Sequence, residues 1–243
     1  GFLRFCSASM AGPDEGLSDY IFFTGEETND AGLTIPDDAP YGPDPHPGDE
    51  TRQGGYAVGL NTNTGHFTQI AGMGRLNHEN TVVVPGGWDG FTLLTTDDTF
   101  NAPSAQLYLY HAPTEEDILG DGGSLFAFRI TGANGMTVDP EDPFNDANDY
   151  LDLGIDDEFS GEFIPVPEDI AAGTTDELPQ DALENWSNDN NVFQAIRLED
   201  LAYDKNNPRV VYVADTGRTR IIPDPDTGRM QRGPGGTEGQ ADN

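Results

Sequence analysis

Positive charge is scarce in this 243-residue chain. Its 11 lysine and arginine residues oppose 44 aspartate and glutamate residues, and Lys205 is the only lysine. The formal net charge of -33 at pH 7 makes nucleic acid and anionic membranes poor partners, because both are polyanions. We therefore expect no nucleic-acid partner. The charge instead favours divalent cations, a salty habitat of the halophile type, or both.

Cysteine and long apolar runs are scarce as well. Cys6 is the only cysteine, which excludes an intrachain disulfide and leaves the redox compartment open. With no evident partner for nucleophilic catalysis, Cys6 is interpreted as a buried strand cysteine. No apolar run approaches the roughly 20 residues of a membrane helix, so we expect no membrane span. Because the sequence starts without methionine on "GFLRFCSAS", we expect a fragment or a processed form.

The apolar stretches that are present are short and rich in β-branched and aromatic residues, as in "YIFFT", "NTVVVP", "GFTLLTT", "AQLYLYH" and "RVVYVAD". Turn-forming residues separate them, as in "NTNTG", "PGGWDG" and "GDGGS". The best helix candidate is "TTDELPQDALENW", in which a threonine is expected to cap the first turn and Pro179 to limit the length. The pattern predicts an all-β chain.

A degenerate repeat indicates how the strands are organised. Arginines open the motifs "RFCS" at Arg4, "RLNH" at Arg75 and "RLED" at Arg197. Each motif is followed by a turn-rich connection and a strand that ends in an acid and a threonine, at Glu27-Thr28, Asp98-Thr99 and Asp215-Thr216. Repeated β units of this kind predict a β-propeller or part of one, with two to three blades represented. The prediction is a single domain over residues 1–243.

Two segments interrupt the repeat. Residues 36–53 form a proline- and aspartate-rich stretch that predicts a loop. Residues 137–191 carry 17 acidic residues and no lysine or arginine, which favours an acidic insertion that is solvated or partly disordered. "GLNTNTGHF" and "IIPDPDTGRM" each predict a hairpin with a similar turn.

The first strands of propeller blades line a central channel, where acidic side chains of several blades converge. Converging carboxylates need cations to neutralise them, and their oxygens suit calcium or oxidised iron. The candidate ligands are Glu26 and Glu27, His78 and Glu79, and Glu199 and Asp200. Because neighbouring strand residues face opposite sides, we expect Glu79 rather than His78 to reach the channel. The alternative is that these acids are held by backbone N–H groups or arginines. Arg75 and Arg197 are candidate phosphate clamps, or they only neutralise the acids.

The motifs "TGEET", "GRLNHEN" and "RLED", in a β-repeat chain, resemble the PhoX-type alkaline phosphatase family, whose members are secreted bacterial β-propellers. "RFCSA" looks like relatives of that family with unassigned activity. The resemblance implies a secreted or periplasmic location. It also implies a centre with a pair of ferric ions and several calcium ions, held by channel carboxylates and one cysteine, that hydrolyses phosphate monoesters.

The family motifs can be carried over residue by residue. Glu27 or Glu26 matches the acidic part of a "TCEE" motif. Glu79 matches the glutamate of an "HE" motif, and Glu199 matches the glutamate of an "R-x-E-D" motif. Gly25 stands where the family has cysteine, so the resemblance favours Ca²⁺ over Fe³⁺. The leading hypothesis is a calcium-binding PhoX-like propeller that hydrolyses a small phosphorylated substrate. The alternatives are a non-enzymatic, calcium-stabilised binding module and an acidic β-protein without metal.

Overall fold

The computed structural model of the protein describes residues 2, 4–27, 54–99, 105–133, 136–137, 158–216, 221–223 and 230–232. Its strands form antiparallel sheets, which confirms the all-β prediction. The predicted loop at residues 36–53 lies outside the described residues. Among the residues described, no helix is long and apolar enough to cross a membrane.

The first sheet has four strands in chain order: β1 (Phe5–Ala11), β2 (Ile21–Glu26), β3 (Ala57–Asn61) and β4 (Phe67–Ile70). The predicted "NTNTG" hairpin joins β3 to β4. Asn61 Oδ1 accepts hydrogen bonds from the N–H groups of Asn63 and Thr64 at 3.0 Å, and Gly65 has φ +73°, which glycine adopts without strain. The turn residues therefore fix this connection locally.

The second sheet has six strands: β5 (His78–Val84), β6 (Phe91–Asp97), β7 (Leu107–Ala112), β8 (Ser124–Ala133), β9 (Met136–Thr137) and β10 (Phe159–Pro165). The order is β10-β8-β7-β6-β5, and β9 pairs with β8 beside this path. Two hairpins follow, formed by β11 (Leu198–Asp204) with β12 (Asn207–Asp215) and by β13 (Ile221–Pro223) with β14 (Met230–Arg232). The last pair confirms the hairpin predicted at "IIPDPDTGRM".

In the described part of the chain, three α-helices lie between strands: α1 (Glu115–Leu119), α2 (Glu168–Ala171) and α3 (Pro179–Asp189). Single 3-10 turns occupy Pro13–Glu15 and Ala71–Met73. The helix predicted around Pro179 is confirmed, and Pro179 is its first residue because proline lacks the N–H that a first turn leaves unbonded. The predicted threonine cap is wrong, since Leu178 precedes the helix and no side chain caps it.

Residues 158–191 of the predicted acidic insertion form β10, α2 and α3, so the expectation of partial disorder is wrong there, and residues 138–157 lie outside the described residues. β10 pairs with β8 along its whole length. Helix α3 buries Ala182 and Leu183, and Leu183 belongs to the main core. The acidic side chains of this segment thus lie on elements whose other faces are apolar.

Strand alternation divides the core between the two faces of the second sheet. On β7, Tyr108 and Tyr110 are fully buried in the main core, which also contains Ile21 and Phe23 of β2. Leu109 faces the other way and packs with Leu201 of β11 in a second cluster. The second sheet therefore lies between the first sheet and the β11–β12 hairpin.

The hairpins β1–β2, β5–β6 and β11–β12 share one register. Their first registered pairs are Phe5↔Glu26, His78↔Asp97 and Leu198↔Asp215. The next pairs are Ala8↔Thr24, Thr81↔Thr95 and Leu201↔Val213, so each first strand contains one residue more than its partner. Such a β-bulge re-aims the side chains at its position. The predicted repeat is thus a repeat of bulged hairpins, and β5 contacts both β1 and β11.

Candidate metal centre

The bulge places equivalent side chains at the start of each first strand. Cys6, Glu79 and Glu199 each directly follow the first registered pair of their hairpin. Because β5 lies against both β1 and β11, these three positions come together at one end of the described strands. The register therefore defines a common site position in each hairpin.

The ends of the second strands add a second kind of donor. Glu27 follows β2 and its N–H donates to Arg4 O at 2.8 Å, while Asp98 follows β6 and its N–H donates to Asn77 O at 3.0 Å. These backbone bonds extend each hairpin by one step and turn both carboxylates toward the first strands.

Two groups of potential metal ligands result, and Glu79 belongs to both. Cys6, Glu27 and Glu79 form the first group, and Glu79, Asp98 and Glu199 form the second. Within each group the ligand atoms lie within 4.8 Å of one another. Each group combines the bulge residue of one hairpin, the acid after its second strand and the bulge residue of the next hairpin. The second group is thus a structural repeat of the first.

Glu79 is the buried carboxylate that the two groups share. It is 6% exposed, and its Oε2 is buried with no hydrogen-bond partner among the described residues. Burial, which is the largest cause, and the charges of Glu27 and Glu199 together raise the pKa of Glu79 to about 7. A carboxylate in these surroundings is stabilised by a cation.

Cys6 is exposed on β1, so its interpretation as a buried cysteine is wrong. Its thiol contacts the acids of the first group. The pKa of Cys6 is raised to about 12, and the largest cause is its hydrogen bond to Glu27. Burial, the charges of Glu27 and Glu79 and the hydrogen bond to Glu79 also raise this pKa. The carboxylates therefore hold Cys6 as a thiol that donates to them.

Two arginines partly neutralise these acids. Arg4 forms an ion pair with Glu27. Arg197 binds Asp98 through a fork, with Nε to Oδ1 at 2.8 Å and Nη2 to Oδ2 at 2.7 Å, and its Nη2 lies 3.0 Å from Glu199 Oε1. These contacts match the alternative in which the predicted Arg197 neutralises acids.

Arg75 does not occupy the position equivalent to Arg4 and Arg197. Asn77 does, because its carbonyl accepts the bond that closes the hairpin. Arg75 is 4% exposed, donates from Nε to Gly54 O at 2.7 Å and lies 3.8 Å from the centre of the Tyr56 ring. Its role as a phosphate clamp stays a prediction.

The other candidate ligands lie beside the groups. Glu26 is fully buried next to Glu27, and Asp200 is exposed and accepts a hydrogen bond from Asn80 Nδ2 at 2.9 Å. His78 is fully buried, with Nδ1 2.9 Å from Thr95 Oγ1 and Nε2 2.9 Å from Gly74 O.

Burial lowers the pKa of His78 to about 4, so its ring is neutral at pH 7. As strand alternation predicts, Glu79 and not His78 joins the ligand groups.

Sequence reasoning missed Cys6 and Asp98 as members of the site. Both carried a signal. Aligning "RFC" with "RLE" places Cys6 on Glu199, and the repeated acid-threonine strand ends place Asp98 on Glu27. The misleading feature was the assumption that Arg75 opens the second repeat, which shifts the alignment by two residues.

Gly25 has no space for a side chain. A Cβ at this position would lie 2.2 Å from His78 Cβ and 2.9 Å from His78 O, which is closer than real Cβ contacts. The approach of β2 to β5 therefore depends on glycine at residue 25, whatever ligand the centre holds.

No family model matches the sequence, and no curated protein matches it. A solved structure that is similar to this chain is Pseudomonas fluorescens PhoX in complex with vanadate, a transition state analogue. The TM-score is 0.50 and the sequence identity 14%, over 84% of this chain and 38% of that protein. This comparison shows a PhoX-like fold, and the chain spans 38% of the length of the protein it matches.

Proposed function

We propose that this chain is part of a PhoX-like β-propeller that binds divalent cations, foremost Ca²⁺, at its convergent carboxylates. The observation that carries the proposal is the pair of repeat-related ligand groups that share the buried Glu79. In this proposal the first sheet, the second sheet and the β11–β12 hairpin are successive blades, and β1, β5 and β11 face the channel.

The donor set suits a hard cation. Glu79, Asp98 and Glu199 offer carboxylate oxygens, which are the ligands that calcium takes, and Glu79 Oε2 is a buried acceptor without a hydrogen-bond partner in the described part of the chain. A bound cation offsets the mutual repulsion of these groups. Glu27 offers a further carboxylate in the neighbouring group, where it forms an ion pair with Arg4.

The proposed activity is the hydrolysis of a small phosphate monoester in the larger propeller. A bound cation would supply Lewis-acid polarisation of the phosphoryl oxygens and stabilise developing negative charge. The β5 bulge directs Glu79 between the two groups, and the Arg197 fork occupies both oxygens of Asp98 while no cation is bound.

Arg197 is also the proposed phosphate clamp, because its side chain is 28% exposed beside the ligand groups. Arg75 is retained as a second clamp on the basis of its charge alone. A secreted or periplasmic location is proposed from the family resemblance.

Calcium titration by calorimetry tests the proposal on chelator-treated full chain. We expect the wild type to bind Ca²⁺, and Glu79→Gln and Glu199→Gln to weaken binding at least about tenfold. Glu162→Gln is the control, because Glu162 forms an exposed ion pair with Arg129 away from these groups. Absence of Ca²⁺ binding in the wild type would contradict the proposal.

Hydrolysis of p-nitrophenyl phosphate by the calcium-loaded chain tests the enzymatic part separately. Turnover that is lost in Glu79→Gln supports the hydrolase. Tight calcium binding without turnover supports the alternative, a calcium-stabilised binding module.

A further inference from the structure

Cys6 occupies the position at which the two following hairpins place a carboxylate. In each hairpin this position is the first residue of the β-bulge, where Glu79 and Glu199 belong to the ligand groups. We propose that Cys6 is a metal ligand, so that the group of Cys6, Glu27 and Glu79 binds a d-block cation such as Zn²⁺, Co²⁺ or iron. The inference rests on the proposed metal-binding function and assigns the sulfur ligand to β1.

The geometry of the first group supports a bond from sulfur to a cation. The Cys6 sulfur and one oxygen each of Glu27 and Glu79 lie within 4.8 Å of one another, a spacing that lets three ligands surround one ion. The thiol donates its hydrogen toward these carboxylates. When a metal–sulfur bond forms, the thiol proton leaves to solvent and the cation takes its place between the same oxygens.

A second observation, at the shared carboxylate Glu79, also points to a ligand. Glu79 is 6% exposed, and its Oε2 is buried without a hydrogen-bond partner among the described residues. A buried acceptor left without a donor destabilises the fold, and the destabilisation is larger when the acceptor is charged. A cation at the first group supplies the positive charge that this carboxylate lacks.

The sulfur determines which cation each group prefers. Thiolate ligands select zinc, copper(I) or iron, whereas calcium takes oxygen ligands. The group of Glu79, Asp98 and Glu199 contains oxygen donors alone, so the two groups differ in chemistry at a single repeat position. Cys6 is exposed, which gives an incoming ion a path to the sulfur.

Cobalt absorption spectroscopy tests this assignment on the reduced, chelator-treated full chain. We expect Co²⁺ to produce a thiolate-to-metal charge-transfer band in the near ultraviolet that saturates at one equivalent. Cys6→Ser should abolish the band. Glu162→Gln is the matched control, because Glu162 forms an exposed ion pair with Arg129 away from both groups, so the band should remain.

Thiol labelling gives a readout on the wild type that needs no folded variant. Cys6 is the only cysteine, so any reaction with a thiol reagent reports on this residue alone. We expect Zn²⁺ to slow the reaction at least about tenfold and Ca²⁺ to slow it much less. The inference would be overturned if the protein binds Ca²⁺ but shows no charge-transfer band with Co²⁺ and if Zn²⁺ does not protect Cys6 from the thiol reagent. A band that depends on Cys6 in protein that does not bind Ca²⁺ would overturn the calcium proposal instead and leave this inference standing.

Discussion

Glu184 provides a quantitative test of how helix α3 is attached beside the candidate centre. Gln180 Nε2 donates to Glu184 Oε1 at 3.3 Å and to Asp97 Oδ2 at 3.1 Å, and Gln180 Oε1 accepts from the Asn77 N–H at 3.0 Å. The helix is thereby joined to the start of β5. Burial raises the pKa of Glu184 from 4.5 to about 7, because the ionised form is poorly solvated there.

The perturbation is Glu184→Gln, which keeps the hydrogen-bond acceptor and removes the titration. Because the folded pKa lies above the unfolded one, the folded wild type retains a proton between pH 4.5 and about 7 that the unfolded chain releases. The free energy of unfolding of the wild type therefore decreases as the pH rises through this window. One pKa unit corresponds to about 1.4 kcal/mol, so the complete shift corresponds to about 3 kcal/mol.

Urea unfolding at fixed ionic strength from pH 4 to 8 measures this difference. The variant should match the wild type below pH 4.5 and exceed its stability by about 3 kcal/mol above pH 7. Asp176→Asn is the control, because Asp176 is exposed just before the helix and its loss should leave the pH profile unchanged. If the free energies of unfolding of Glu184→Gln and the wild type differed by the same amount at every pH, the burial of Glu184 and the packing of α3 would be refuted.

Two further predictions concern the centre and its support. Arg197→Gln should raise the calorimetric affinity for Ca²⁺ several-fold, because Arg197 engages oxygens of Asp98 and Glu199 that a cation needs; a fall in affinity would refute this competition. Gly25→Ala should lower the free energy of unfolding, measured by urea titration, by at least about 1–3 kcal/mol, because the added Cβ overlaps His78. An unchanged free energy of unfolding would contradict the close approach of β2 to β5.

The fold class could be predicted because short β-prone stretches alternate with turn signals along most of the chain. The hairpin at Asn61–Asn63 shows this directly, since the side chain of Asn61 bonds the turn that its own sequence encodes. The packing of residues 158–191 could not be predicted in this way. Their acidic composition indicated solvation, whereas α3 buries its apolar residues Ala182 and Leu183, and Leu183 belongs to the main core.

The candidate site could be predicted in part. Glu27, Glu79 and Glu199 lie in the ligand groups, and their role as metal ligands stays a prediction. The choice between Glu26 and Glu27 needed the register, because adjacent residues point to opposite sides of a strand. The exposure of Cys6 could not be predicted from its apolar neighbours, since a bulge interrupts the alternation on β1 at that residue.

The same register also limits the extent of the centre. In the third hairpin the residue equivalent to Glu27 and Asp98 is Thr216, whose N–H donates to Arg197 O at 3.1 Å. A threonine hydroxyl brings no negative charge, and Thr216 Oγ1 donates to Glu199 Oε1 at 2.8 Å, so a hydrogen bond occupies the oxygen of Glu199 on this side. The third hairpin therefore adds no carboxylate at this position. A third group would also need the bulge residue of a further hairpin, so within the described residues three equivalent hairpins give two ligand groups.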